Sequence, residues 1–276
     1  MKPSRSSRDP YRHLPLKAKA RNEVRRQSFN LHAELYGEVR PTYPEELFDD
    51  CVRLSGIPRH ARILEIGPGT GQATIPLARR GFRILGLELG DKLAALCRKN
   101  CRSFPNVEIR NVAFEDWPVE PEAFDLVFAA TAFHWIRPGV GFSRAAATLK
   151  PEGHLALVWN FREVPNDEFH QALRKVYRRH VPRLADTRPP EERIRKQQQK
   201  ITGSALFEPP EILRYPWERV YSTEEYIKQL RTQSDHATLE PGVRTALLNE
   251  IRELVTRLGG QVLRRSNAVL FLARKR

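Results

Sequence analysis

From Ile63 to Asn160 the chain repeats one pattern: a short apolar run, a polar or glycine-bearing break, then a longer stretch with apolar residues at helical spacing. The runs are Ile63 to Ile66, Phe82 to Glu88, Val107 to Asn111, Phe124 to Phe128 and Gly153 to Asn160. They are too short for helices, and all but the alternating Val107 to Asn111 are mostly apolar, as buried strands require. Strand and helix alternating in this way predict an α/β, doubly wound parallel sheet, preceded by a helical lead-in over residues 29–56. Asp91 is expected to cap a helix through Asn100, and a helix after Pro138-Gly139 is expected to end near Leu149, where Lys150-Pro151-Glu152-Gly153 turns into the fifth strand. Residues 161–210 break the alternation with helical patterning around a polar middle, which predicts an inserted helical lid over the sheet edge. The sheet is expected to resume at Arg214 to Tyr221. Ser222-Thr223-Glu224-Glu225 has the form of a capping box that opens a helix. A helix from Val243 to Leu258 should stop at Gly259-Gly260, before a last strand from Gln261 to Arg274.

Four segments follow: a basic, largely disordered tail (1–28), an α/β core with its helical lead-in (29–160), the insertion (161–210) and the completion of the sheet (211–276). The 276 residues suit one enlarged domain. No apolar stretch approaches the roughly 18 residues of a membrane span and no signal-peptide centre opens the chain, so a soluble, cytoplasmic protein is expected. Cys51, Cys97 and Cys101 have neither a disulfide framework nor zinc spacing, and no metal site is expected; Cys97 and Cys101 should share a helix face.

Charge widens the choice of partners. A net charge of +14 invites an anionic partner. Much of it is local: residues 1–26 carry Lys2, Arg5, Arg8, Arg12, Lys17, Lys19, Arg21, Arg25 and Arg26 against Asp9 and Glu23, and a second basic stretch runs from Arg174 to Lys200. A solvated tail and helix face explain these runs, and nucleic acid is the less favoured partner.

The chemistry concentrates where the first strand ends, at Glu65-Ile66-Gly67-Pro68-Gly69-Thr70-Gly71-Gln72-Ala73. A dinucleotide fingerprint needs G-x-G-x-x-G, but here the glycines are two apart and Gln72 stands where the third belongs. Glu65 also suits an ammonium group better than a pyrophosphate. Glu88, ending the second strand, is placed for two ribose hydroxyls and fits either NAD or S-adenosylmethionine. Phe114-Glu115-Asp116-Trp117 follows the third strand, where a loop can cover an adenine, and Ala129 to Trp135 follow the fourth.

On these residues the chain resembles the class I S-adenosylmethionine-dependent methyltransferases, in the small-molecule branch with the ubiquinone/menaquinone-type and trans-aconitate-type enzymes. Ala33-Glu34-Leu35-Tyr36 and Arg40-Pro41-Thr42-Tyr43-Pro44 resemble the segment that closes over the cofactor in that family. The resemblance implies a Rossmann-like, seven-stranded sheet, parallel except for its last strand, and S-adenosylmethionine as cofactor. It implies cofactor contacts from Tyr36, Arg40, Glu65, Gly67, Gly69, Gly71, Glu88, Leu89, Phe114, Glu115 and Ala130, with Arg40 able to pair with the methionine carboxylate. Where many relatives carry an acid for the adenine amino group this chain has Ala113, and Glu115 or backbone near Phe114 is expected to substitute.

Tyr43, His134, Trp135, Trp159 and Asn160 are the expected acceptor contacts. His134 reads as a general base, as a donor that orients the acceptor, or as a ring packed beside Trp135. Ser234-Asp235-His236 has triad residue types, but adjacent positions in one loop do not provide triad geometry, and a cap or turn is expected. The expected activity is methyl transfer to a small organic acceptor, with O-methylation of a carboxylate or hydroxyl preferred. The alternatives are a methyltransferase acting on RNA or protein, a non-catalytic cofactor-binding protein, or an NAD-binding enzyme. The acceptor and the oligomeric state are not legible in the sequence.

Overall fold

A computed structural model describes residues 24–25, 28–30, 33–185 and 188–276. The expected disordered tail lies almost wholly outside these residues, although Arg25 and Ser28, assigned to it, make defined contacts.

Seven strands form one sheet: β1 (Arg62–Ile66), β2 (Arg83–Glu88), β3 (Val107–Asn111), β4 (Phe124–Ala130), β5 (Leu149–Arg162), β6 (Glu211–Ser222) and β7 (Gln261–Arg274). Their order is β3-β2-β1-β4-β5-β7-β6. Only β7 runs antiparallel to its neighbours, as expected. The central strands are buried on both faces, which explains their continuous apolar runs. β6, paired on one side only, alternates in exposure and accommodates Pro216, which an interior strand would reject.

The helices are α1 (Ala33–Val39), α2 (Glu45–Ser55), α3 (Thr74–Arg79), α4 (Asp91–Asn100), α5 (Pro138–Thr148), α6 (Glu168–His180), α7 (Pro190–Gly203), α8 (Thr223–Arg231), α9 (Ser234–Ala237) and α10 (Pro241–Arg257). The capping box forms, with Ser222 and Glu225 each bonded to the other's backbone.

Several boundaries differ from expectation. β5 begins at Leu149, so Lys150 to Gly153 lie inside the strand; the register shift between Phe124↔Leu149 and Leu126↔His154 absorbs the extra residues as a bulge. Residues 161–162 belong to that strand and not to the insertion. Asp91 is the first helical residue of α4 rather than its cap, and the capping oxygen comes from elsewhere. The insertion is not a single lid. α6 buries Leu173, Val176 and Tyr177 against α8 and α10 in a separate apolar cluster, whereas Ile194 and Ile201 of α7 join the main core with Phe161 and Phe207. Strand order reverses between β1 and β4, and at such a point the carboxyl ends of the strands leave a crevice.

Candidate functional site

β1 ends in the crevice on Glu65, and the loop after it turns three times through left-handed backbone: φ is +67° at Gly67, +62° at Gly69 and +101° at Gly71. Gly67 N–H donates to the Leu87 carbonyl (2.9 Å), which ties the loop to β2. Gly69 N–H donates to Glu88 Oε2 (2.9 Å), and Gly90 N–H to Glu88 Oε1 (3.0 Å). Gly71 lies behind the cavity wall, where a Cβ would meet Cys101 Sγ at 3.4 Å and Cys97 Sγ at 3.6 Å. The two thiols do share a face of α4, buried against this turn.

Glu65 is 1% exposed, and among the described residues its Oε2 has no hydrogen-bond partner. Burial pushes its pKa up to about 8; the Thr74 hydroxyl opposes the shift, while Cys101 and Glu88 add to it. A buried carboxyl with an open acceptor is costly unless a cationic ligand meets it.

The segment before the core forms a second wall. Asn30 Oδ1 accepts from Lys92 N–H (2.9 Å) and Leu93 N–H (3.3 Å), while its Nδ2 donates to Asp91 (2.6 Å). A residue 61 positions upstream of Asp91 therefore caps α4. Asn30→Ala is expected to cost about 1 kcal/mol of stability in denaturant unfolding, and an unchanged midpoint would contradict the capping role. Phe29 meets Tyr36 and Trp135 edge-on, with ring centroids 5.8 and 5.5 Å apart, and the Arg40 guanidinium lies 4.7 Å from the Tyr36 ring centre. Arg40 donates to the Thr232 hydroxyl (3.1 Å) and carbonyl (2.6 Å), so its fork faces the end of α8, a different partner from the expected carboxylate. Tyr43 hydrogen-bonds Thr131 (3.0 Å), and burial raises its pKa, which keeps the phenol protonated.

Across the cavity, Trp159 Nε1–H donates to His134 Nδ1 (3.1 Å). The indole can only donate, so Nδ1 is the acceptor and the neutral ring carries its proton on Nε2. Burial, then Lys200, Arg25 and Arg193, lower the His134 pKa to about 3. His134 is exposed to the open cavity, so water there softens the burial effect and screens the three cations. With the Nδ1 lone pair taken by the indole, the Nε2–H is the group left free to act, and it can only donate. Asn160 Oδ1 accepts from Trp217 Nε1 (2.8 Å).

One cavity of about 1220 Å³ joins these walls. Tyr36, Arg40, Tyr43, Glu65, Gly67, Gly69, Glu88, Leu89, Phe114, Ala130, His134, Trp135, Trp159 and Asn160 all line it. Gly71 and Glu115 do not: Gly71 shapes the turn from behind, and Glu115 lies outside the lining, leaving Phe114 alone of that pair at the wall. Sequence reasoning missed the lining residues Arg25, Phe29, Asn30, Thr131, Arg162 and Arg264. Ser234 and Asp235 line it too, but they bind Arg25, and His236 bonds to Tyr177 (2.8 Å), so the three form no triad. The described residues hold no cluster of metal-ligand type, and no described helix is long and apolar enough to cross a membrane.

Residues 64–157 match the family described as Methyltransf_11, Methyltransferase domain. The chain is 32% identical over 159 residues to an uncharacterized methyltransferase-like protein of Schizosaccharomyces pombe, covering 56% of this chain and 61% of that one. It is 29% identical over 136 residues to an uncharacterized methyltransferase of Mycobacterium tuberculosis, covering 49% and 53%. The match thus spans a little over half the length of such relatives. Among solved structures, a type II methyltransferase of Anaeromyxobacter dehalogenans shares the fold with a TM-score of 0.59 at 24% identity, over 85% of this chain and 97% of that one. The unpartnered Oε2 of Glu65 and the glycine loop beside it fit a cofactor that brings an ammonium group and no pyrophosphate, namely S-adenosylmethionine. Strand order, loop and domain match agree: residues 64–157 are similar to a methyltransferase domain, set in a sheet with the strand order of the class I S-adenosylmethionine-dependent methyltransferases.

Proposed function

We propose that the protein transfers a methyl group from S-adenosylmethionine to an oxygen of a small organic acceptor, with a carboxylate preferred to a hydroxyl. The observation that carries this reading is the buried Glu65 carboxyl, with its Oε2 unpartnered, sharing one cavity with a His134 ring whose Nδ1 is occupied. Glu65 receives the cofactor's ammonium, Glu88 its ribose hydroxyls, and Gly67 and Gly69 let the backbone approach it. Tyr36 covers it, and Phe114 and Leu89 flank the adenine. Bound there, the cofactor supplies an electrophilic methyl group on a positively charged sulfur.

The acceptor-facing residues then position and desolvate. Trp135 and Trp159 exclude water, and His134 offers its Nε2–H to an acceptor oxygen. Tyr43 stays protonated and the only basic lone pair of the His134 ring, on Nδ1, is held by the Trp159 indole, so neither is set to remove a proton from an acceptor near pH 7. An acceptor that is already a nucleophilic anion needs no such help, which favours a carboxylate over an alcohol.

His134→Gln is expected to lower turnover about tenfold or more while sparing affinity for S-adenosylhomocysteine. The wild-type pH–rate profile should show no limb from a histidine near pH 6.5. Unchanged turnover in the variant, or such a limb that the variant abolishes, would contradict the role. The acceptor class is tested by supplying labelled S-adenosylmethionine to an extract of the source cells and separating small molecules from precipitable polymer. Label in the small-molecule fraction supports the proposal; label in RNase- or protease-sensitive polymer overturns it.

A further inference from the structure

On the side of the cavity away from Glu65, cations outnumber the acids that could pair with them. Asp235 is shared by Arg25 (2.7 Å) and Arg183 (3.9 Å), Arg188 pairs with Glu192 (3.7 Å), and Asp91 is held by Asn30. Among the described residues this leaves Arg162, Arg193, Lys196, Lys200 and Arg264 in the lining without an acidic partner. Three elements bring them together: β5 ends on Arg162, β7 contributes Arg264, and α7 contributes the rest.

Arg264 is the most demanding of them. Its Nε and Nη1 are buried with no hydrogen-bond partner, and its guanidinium lies 5.9 Å from the Tyr221 ring centre. Along β7 it shares a face with Val262, Ser266 and Ala268, all buried, so the strand turns this cation inward while Leu263 and Arg265 face solvent. A buried guanidinium with idle donors is costly unless a ligand fills them. The cations lie within electrostatic reach of one another: Lys200 and Arg193 act on His134, and Arg162 acts on both Arg193 and Arg264. A monoanion beside His134 would leave the idle Arg264 donors unmet.

We infer that the acceptor is at least dianionic: beyond the group that receives the methyl near His134, it carries a second anionic group, carboxylate or phosphate, seated on Arg264 and Arg162. This rests on the small-molecule reading above and narrows it to acceptors with two charged ends. The rings of Trp159, Phe161, Trp217 and Tyr221 line the cavity too and suit the carbon skeleton between those ends. The planar guanidinium fork favours such a planar or tetrahedral oxyanion over a lone halide.

The test is calorimetric titration of the whole protein with malonate, succinate, glutarate and adipate against acetate and butyrate, and with pyrophosphate against the monoanion dimethyl phosphate. The best dianion is expected to bind about tenfold or more tighter than its monoanionic counterpart. Arg264→Met should erase that preference, and Arg264→Lys should keep part of it. Arg264→Met should also melt no lower than wild type, since it removes a partnerless buried charge; Arg162→Gln provides an independent loss of the preference. Preference for a dicarboxylate assigns the second group as a carboxylate, and preference for pyrophosphate as a phosphate. Equal binding of mono- and dianions, a preference that survives both Arg264→Met and Arg162→Gln, or tighter binding of a short RNA than of any small anion overturns the inference. Affinity for S-adenosylhomocysteine, measured separately, distinguishes the two failures: its loss in wild type would remove the methyltransferase reading, whereas intact affinity with no dianion preference removes only this one.

Discussion

Replacing Glu65 by glutamine is expected to weaken cofactor binding by roughly 100-fold, about 3 kcal/mol, while making the ligand-free protein more stable above pH 7. Both effects have one cause. Glu65 is buried with an idle oxygen, and its pKa rises from 4.5 to about 8 in the folded protein. A group whose folded pKa lies above its unfolded value binds a proton more tightly when folded. Its contribution is therefore complete below pH 4.5, declines as the pH rises from there, and is lost once the pH passes about 8. The loss is on the order of 5 kcal/mol at most. Glutamine keeps the shape and cannot ionise, so its unfolding free energy should stay nearly flat where that of wild type falls. Urea unfolding at pH 5 and pH 8 checks the slope, and parallel curves for the two proteins would contradict it. On the proposed function, the native carboxyl is kept at a cost to stability because its charge meets the cofactor's ammonium.

Gly67→Ala is expected to be more damaging than Gly69→Ala, although the two glycines are neighbours in one loop with nearly equal positive φ. At Gly67 a Cβ would stand 2.6 Å from Ala132 Cβ, an atom fixed to the backbone just beyond β4. At Gly69 the nearest atoms are Tyr36 Cε1 at 3.4 Å and Gln72 Oε1 at 3.5 Å, both on side chains that can move. Backbone strain of about 1 kcal/mol applies to both, and only Gly67→Ala must also displace the Thr131–Ala132 turn. Its total is expected near 3 kcal/mol, with cofactor affinity reduced because that turn and Ala130 line the same cavity. Melting temperatures of the two variants decide the matter; equal losses would mean that the Ala132 contact relaxes freely.

The central strands were legible in the sequence because they are buried on both faces, and short, mostly apolar runs such as Ile63 to Ile66 suit a buried strand. The glycine loop and its two acids were legible because backbone conformation and charge constrain them locally. Boundaries failed where tertiary pairing overrides local chemistry: Lys150 to Gly153 has the composition of a turn, yet it is the bulge of one continuous strand because Leu149 before it and His154 after it both pair with β4. Roles failed where a partner comes from far along the chain. Nothing near Asp91 announces that Asn30 caps its helix, and nothing near Arg40 announces Thr232. His134 looked like a base because its type permits it; the indole that occupies Nδ1 is 25 residues away. Arg264 had a signal that went unread. In Val262, Arg264, Ser266 and Ala268 the period of a strand places a cation on the buried face, whereas an ordinary strand would turn it outward.

The central claim is that the Glu65 carboxyl, neutral in the free protein, becomes the counter-ion of the cofactor's ammonium. Calorimetric titration of S-adenosylmethionine at pH 6.5, in two buffers of different ionisation enthalpy, measures it directly. The ligand's amino group is already protonated there and Glu65, with a pKa of about 8, is not yet ionised. Binding should therefore release close to one proton per site in wild type and none in Glu65→Gln, with wild-type affinity rising as the pH approaches 8. Tight binding with no proton release, or equal affinity in the glutamine variant, would contradict the account.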